Sequence, residues 1–283
     1  MAIRASGVKL TGLVGTVLAA LPGQANAAEA VLRVVDVGNA LCVVAAIPGD
    51  HFMLYDAGGR GGGQCAAAVR EIVGSDRLDL VVLSHPDEDH NGQLAAILAA
   101  TPADMIIHTG ARLSSNISGA IRTELRRANR RRAGSVRSLA TQPLPNMRSP
   151  SPGQARAAPL AIELGDARIT FVAGWHKWNL PADRGASLSR AEKRNAISIV
   201  VRFDYGGKSV LLSGDAIGRR GRGTEPADAC RDAAKWMVRE GNVPLDSDVL
   251  VGEHHGGDNS SALCFYRSGI ARMGRIFGGK LDE

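Results

Sequence analysis

The stretch Leu83-Ser84-His85-Pro86-Asp87-Glu88-Asp89-His90-Asn91-Gly92 separates two kinds of pattern. Before it, residues 78–83 are a near-continuous apolar run of strand length; after it, residues 91–100 carry apolar side chains at helical spacing. Four side chains able to bind a metal, His85, Asp87, Asp89 and His90, fall within residues 85–90. A turn between a buried strand and a helix lets a rigid scaffold hold such residues while the loop aims them inward. The alternation at 85, 87 and 89 predicts an extended segment with these side chains on one side, His90 turning to a second metal as the helix begins. Mixed His and Asp donors suit a divalent cation, and the absence of Cys argues against a structural zinc site. An acidic surface turn accounts for two such residues, not for the whole pattern at a strand end.

Two later segments repeat the theme. Val210-Leu211-Leu212-Ser213-Gly214-Asp215 puts a carboxylate at the end of an apolar strand, and Val249-Leu250-Val251-Gly252-Glu253-His254-His255-Gly256-Gly257 puts a histidine pair at the end of another. Strand ends that bring Asp and His to the edge of a ligand loop are what a two-metal site needs, with Asp215 able to bridge. Metal binding lowers the pKa of a held water toward neutrality. The metal-ligand candidates are therefore His85, Asp87, Asp89, His90, Asp215 and the pair His254 and His255, for one or two divalent ions, zinc or manganese. Asp89 and Asp215 are the candidate catalytic groups, Asp89 as proton acceptor. Asp56, before Ala57-Gly58-Gly59, either orients the ligand loop through hydrogen bonds or simply opens a Gly-rich turn.

Around these motifs, residues 31–37, 41–47 and 51–55 read as an antiparallel meander, and residues 65–73 as a helix. Strand patterns follow at 105–108, 169–173, 196–205, 209–213 and 248–253, with a helix at 227–240. Two groups of strands, each followed by helices, imply one α/β domain on a two-sheet core. Residues 110–159 read as an inserted arm: an arginine-dense helix over 117–132, then a stretch rich in Pro, Ser and Gly.

Composition sets outer bounds. The chain of 283 residues is 45% hydrophobic and 22% charged, which excludes disorder and collagen-like repeats and allows a sizeable core. Its 11 aromatic residues argue against a base-stacking surface. Residues 1–27 have a basic start (Arg4, Lys9), a short apolar run and Ala25-Asn26-Ala27, the pattern of a cleavable signal peptide. Residues 28–283 are then the working domain, periplasmic or secreted, with no membrane span. Removing Arg4 and Lys9 lowers the net charge from +6 to +4. Residues 122–137 hold seven Arg against one Glu, so the basic character belongs to one segment and the remainder is slightly acidic. Arg122, Arg126 and Arg130 recur at helical spacing and form a candidate phosphate or nucleic-acid contact, or a solvated helix face. Cys42, Cys65, Cys230 and Cys264 allow three disulfide pairings; Cys230–Cys264 is favoured because both lie in helix-like stretches, and Cys42 reads as a buried small residue.

The order Asp56-Ala57-Gly58, Ser84-His85-x-Asp87-x-Asp89-His90, Leu212-Ser213-Gly214-Asp215 and His254-His255-Gly256 resembles the metallo-β-lactamase superfamily. With Val35-Asp36-Val37-Gly38-Asn39-Ala40 and Asn195-Ala196-Ile197-Ser198-Ile199-Val200, the likeness is greatest to the hydrolase domain associated with ComEC-type competence proteins. The resemblance implies an αββα four-layer sandwich, one or two metals between the sheets, and hydrolysis of an ester-like bond. Asp87 stands where many relatives have a second His, which hardens the site toward manganese. Relatives also supply a ligand between the first loop and the Gly-Asp strand, for which only His108 and His176 are available, and they continue through further strands. Here 28 residues follow His255, and Ile276-Phe277-Gly278-Gly279 reads as the start of such a strand, as in a compact or shortened variant that lacks the last C-terminal elements. The first expectation is an exported phosphodiesterase or nuclease; the alternatives are a carboxylic ester, lactone or lactam hydrolase of the same fold, and an inactive binding homologue.

Overall fold

The structure is a computed structural model that describes residues 2–5, 8–11, 29–131, 137–140, 159–175, 188–218, 230–239, 244–256, 260, 263–269 and 275–277. Among these residues, sheet 1 runs in the spatial order β1 (Ala2–Ala5), β2 (Val8–Thr11), β3 (Ala30–Val34), β4 (Cys42–Ile47), β5 (His51–Ala57), β6 (Leu78–Leu83), β7 (Ala103–His108) and β8 (Arg137–Ala140). Sheet 2 runs β9 (Ala161–Leu164), β10 (Ala167–Ala173), β11 (Val200–Tyr205), β12 (Lys208–Leu212), β13 (Val249–Val251) and β14 (Arg275–Phe277). The β3–β4–β5 meander is antiparallel, as its short turns require, whereas β5 through β8 pair in parallel. In sheet 2, β9 through β12 are antiparallel and β12–β13–β14 parallel.

The strand period of two sorts side chains between two cores. In β4, Val43, Ala45 and Ile47 face sheet 2 with Met53 and Tyr55 of β5, while Cys42, Val44 and Leu54 join the opposite cluster. That second cluster packs sheet 1 against α1 (Gln64–Val73), α3 (Leu94–Ala100) and α4 (Ser115–Arg131) through Val69, Ile97 and Ile121. On sheet 2, Trp236 and Met237 of α6 (Asp232–Arg239) and Phe265 of α7 (Leu263–Gly269) complete the fourth layer. β6, buried along almost its whole length, carries the β-branched and leucine run of a central parallel strand.

Several elements differ from the sequence reading. The helix expected from residue 91 is two: α2 (Glu88–Asn91) and α3, broken at Gly92-Gln93. The break is imposed by tertiary contacts. Gly92 N–H donates to Gly58 O at 2.7 Å, and the Gln93 amide bonds Gly59 O and Ala66 N–H. A Cβ on Gly92 would lie 2.7 Å from Glu88 O, so no larger residue fits there. A further helix, α5 (Arg190–Ala196), precedes the strand expected over 196–205, which begins only at Val200; the helix is fixed by a capping box between Ser189 and Glu192. Within residues 110–159 the described elements are α4, packed on α3, and β8, paired with β7. Both cysteine pairs are disulfides: Cys230–Cys264, as favoured, and Cys42–Cys65, which joins β4 to α1. Cys42 is buried, but as half of a cross-link and not as an apolar filler. No helix among the described residues is long and apolar enough to cross a membrane.

Candidate metal centre

The centre forms where β5, β6, β12 and β13 end. Asp56 closes β5 in the left-handed region (φ 57) and is fully buried. Its carboxylate accepts from Ser84 N–H, from the Ser84 hydroxyl and from His90 Nδ1, each at 2.7 Å. Because the Ser84 hydroxyl spends its proton on Asp56, it accepts from His85 Nδ1 at 3.0 Å. One carboxylate thus fixes the tautomer of two histidines, and both keep the Nε2 lone pair for the centre. Asp56 therefore acts through the ligand loop. Ser84, which the sequence motif contains without assigning it a role, is the relay.

Asp215 reaches the same place from sheet 2. Its N–H donates to the Ser198 hydroxyl at 3.2 Å, and Gly214 before it has φ 54. A Cβ on Gly214 would lie 2.6 Å from Ser84 Cβ, so the two sheets meet here only because that residue is glycine. Ile199 ties the sheets together as well, its N–H donating to Ser84 O at 2.8 Å and its carbonyl accepting from the Tyr55 hydroxyl at 2.6 Å. After β13 the chain turns through His254 (φ 43) and His255 (φ 51), both left-handed, and His254 N–H donates to Gly214 O at 3.1 Å. Non-glycine residues in this region each cost about 1 kcal/mol or more, strain of the kind found at functional sites.

The resulting cluster is Asp89, His90, Asp215 and His255, with one ligand atom from each lying within 4.8 Å of the others. His90 Nε2 is 3.0 Å from Asp215 Oδ1 and 3.2 Å from His255 Nε2; Asp89 Oδ2 is 3.5 Å from His255 Nε2. Asp89 sits inside α2, not in an extended segment, because Asp87 is already the residue before that helix. Its carbonyl is held by Leu41 N–H at 3.2 Å. His85 Nε2 and His254 Nε2 both lie 3.7 Å from the other oxygen, Asp215 Oδ2, and Asp87 Oδ2 is 3.9 Å from His85 Nε2. Asp87 forms an ion pair with Arg194 of α5, and Asn195 Nδ2 donates to His254 Nε2 at 3.0 Å. All seven predicted ligand positions thus converge, in two groups around Asp215. His108, at the end of β7, instead accepts from Gly110 N–H; His176 lies outside the described residues.

The electrostatics match this arrangement. Burial, and then the neighbouring His90, push His85 down to about 3, so it is neutral and able to ligate. Burial opposes a charge on His90, but Asp56 and Asp215 outweigh it and raise its pKa well above the ordinary value. Burial likewise opposes a charge on Asp215, yet His90 and His85 hold its carboxyl below the usual range. Burial raises Asp87 against the pull of Arg194. A field that draws a proton onto a buried imidazole draws a divalent cation as readily. Asp215 Oδ1 is buried with no hydrogen-bond partner, 3.0 Å from the His90 Nε2 lone pair, and two acceptors facing each other in the interior call for a cation between them. The residues therefore fit a divalent cation.

Residues 35–172 match the metallo-beta-lactamase superfamily. The sandwich just described is the metallo-β-lactamase fold, and its ligand loop and Asp56 lie inside the matched segment. Among solved structures, the chain is similar to the archaeal metallo-beta-lactamase superfamily protein ST1585 from Sulfolobus tokodaii, at 14% identity over 83% of each chain with a TM-score of 0.43. It is also similar to MEM-A1, a subclass B3 metallo-beta-lactamase from a soil metagenome library, at 16% identity over 78% of this chain and 75% of that one, TM-score 0.41. Against the metallo-beta-lactamase fold protein YhfI from Bacillus subtilis, identity is 14% over 75% of this chain, TM-score 0.37, and the match spans 62% of YhfI. No curated protein matches the sequence.

Proposed function

We propose that this protein is an exported metal-dependent hydrolase of the ComEC-type branch whose substrates are phosphodiesters, nucleic acid among them. The observation that carries the hydrolase reading is the convergence of Asp89, His90, Asp215 and His255 around one point, backed by Asp56. A divalent ion at such a site lowers the pKa of water enough to provide hydroxide near neutral pH. Asp89, His90, Asp215 and His255 would hold that ion. Asp89, about two-fifths exposed, is placed to pass a proton to solvent. Zinc and manganese both suit this set of carboxylate and imidazole donors.

Two features bear on the substrate. Arg194 brings a permanent positive charge to the centre, which favours an anionic bond. The basic segment adds Arg122 and Arg126, which with Arg127 line a groove between α3 and α4. Arg127 donates to Leu98 O, near the end of α3 that leads into the start of β7, so the groove lies toward the edge opposite the metal centre. The Arg130 side chain is outside the described residues. A second reading, an ester, lactone or lactam hydrolase, has its own support. The cleft of about 820 Å³ above Asp215 and His255 is walled by Val35, Val37, Ala40 and Leu41, and among the described residues no Lys or Arg lines it.

The two readings separate in one experiment. Protein beginning at Ala28, loaded with manganese or zinc, is incubated with single-stranded DNA and with a lactone. Cleaved DNA supports the first reading; intact DNA with an opened lactone ends it in favour of the second. Failure to retain metal, with His85→Ala as stable as the parent, would make the protein a binding homologue. Export is proposed from residues 1–27 and agrees with the two disulfides. Cleavage after Ala27 would remove β1 and β2 and leave β3 as the edge of sheet 1. N-terminal sequencing of protein recovered from outside the cytoplasm should begin at Ala28.

A further inference from the structure

Asp215 divides the centre into two halves that differ in charge. On the Oδ1 side stand His90, His255 and a second carboxylate, Asp89. Among the described residues, no Lys or Arg forms an ion pair with Asp89 or Asp215. That half is anionic and built from ligands alone. On the Oδ2 side stand His85, His254 and Asp87, and there two consecutive residues of α5 enter. Arg194 Nε pairs with Asp87 Oδ1, and Asn195 Nδ2 donates to His254 Nε2 at 3.0 Å. α5 is itself anchored. Its N-terminus has the Ser189–Glu192 capping box, and beyond it Ile199 N–H donates to Ser84 O.

These contacts have an electrostatic consequence. A guanidinium stays charged at any pH the fold survives, so the charge of Asp87 is already balanced. A divalent cation placed between His85, His254 and Asp87 would meet that positive charge, and would have to displace the Asn195 amide from the His254 lone pair. Arg194 uses Nε for Asp87, which leaves the two Nη groups of its fork for another acceptor, and its side chain is 33% exposed.

We propose that the centre takes a single divalent cation, on the Asp89–His90–His255 side of Asp215, and that Arg194 stands in for the second positive charge and binds an anionic oxygen of the substrate. The proposal rests on the metallo-hydrolase reading and refines its substrate class: a bond flanked by an anionic oxygen, as in a phosphodiester, is bound through Arg194, and a neutral ester is not.

The test is metal stoichiometry on the full chain. Protein purified without chelator is equilibrated with manganese, then with zinc, and bound metal is measured by mass spectrometry and titration calorimetry. The wild type should hold one equivalent. Arg194→Gln should acquire a second, and Arg194→Lys should keep one. Asp87→Asn should also keep one, because Asp87 serves Arg194 and not the cation; this variant carries the test if Arg194→Gln fails to fold. In parallel, with metal limited to one equivalent, Arg194→Gln should raise KM for bis(4-nitrophenyl) phosphate by about tenfold or more, the loss expected of one charge-assisted contact, with kcat/KM for 4-nitrophenyl acetate little changed. Two equivalents of similar affinity in the wild type, or loss of the single equivalent in Asp87→Asn, would overturn the proposal and leave the hydrolase reading standing. No metal in the wild type would overturn both.

Discussion

The two edges of the sandwich use the same residue types to opposite ends. Where β6 and β13 begin, Asp79 accepts from Phe52 N–H at 2.7 Å, and Asp248 accepts from Ser209 N–H at 2.9 Å and from Lys208 Nζ at 3.1 Å. These carboxylates are partly exposed, paired with ordinary donors and borne on unstrained backbone. Where the same strands end, Asp56 and Asp215 are buried, the nearest positive partners of Asp215 are histidines, and Asp56, His254 and His255 all sit in left-handed backbone. Left-handed backbone also occurs at the other edge, at Asp50 (φ 59) before β5; what stability alone would not concentrate on one edge is the burial of so many titratable groups. The chain makes this edge costly and the other cheap, and the difference identifies where the chemistry is.

Substitutions at the two edges should therefore differ in what they damage. The largest effect belongs to Asp215→Asn: activity should vanish and metal content collapse, because one change strips both halves of their shared carboxylate. Elemental analysis beside an activity assay checks it, and a variant that keeps its metal would dissolve the contrast between the edges. Asp56→Asn comes next. It leaves every ligand in place but weakens the hold on His90 and Ser84, so metal affinity should fall by about 10–100-fold, the usual cost of losing a group that orients a ligand; calorimetric titration reads it.

Gly214→Ala tests strain separately from charge. The added Cβ would press on Ser84 at left-handed φ, and denaturant unfolding should show a loss of about 1–3 kcal/mol. Asp248→Asn, at the cheap edge, should cost the least, about 0.5–1 kcal/mol at pH 7, with metal binding unchanged. Burial opposes the Asp248 charge slightly, but Lys208 and Ser209 hold its carboxyl below the ordinary range. A depressed folded pKa gives stability that is present above the unfolded value of about 4 and is lost as pH falls through the folded one. The wild-type advantage over Asp248→Asn should therefore shrink on acidification across that window, as paired melts at pH 7 and pH 3 would reveal.

Much of the centre is legible in the chain because ligand chemistry leaves few residue choices. His85, Asp87, Asp89, His90, Asp215, His254 and His255 could be picked from short motifs at the ends of apolar runs, and those runs are β6, β12 and β13. What supports these residues is less visible. Ser84 is an ordinary serine until its hydroxyl is seen between Asp56 and His85. Arg194 and Asn195 belong to a seven-residue helix whose apolar content is too low to register as periodic, next to a strand whose β-branched run dominates the local pattern. The split between α2 and α3 is equally hidden, because it comes from hydrogen bonds to the Gly58–Gly61 segment.

The sequence by itself determined the two-sheet α/β class, the edge at which the His and Asp side chains gather and which residues those are, since strand period, turn residues and donor types are local properties. Only the tertiary structure decided how the ligands divide. Which oxygen of Asp215 faces which histidines, how Asp56 sets two tautomers through one serine, and why Asp87 pairs with Arg194 all depend on sheet 2 and α5 meeting sheet 1. The reason is physical. A carboxylate or an imidazole brings the same donors and acceptors wherever it stands, and only the partners packed around it after folding decide which of them it has left to use.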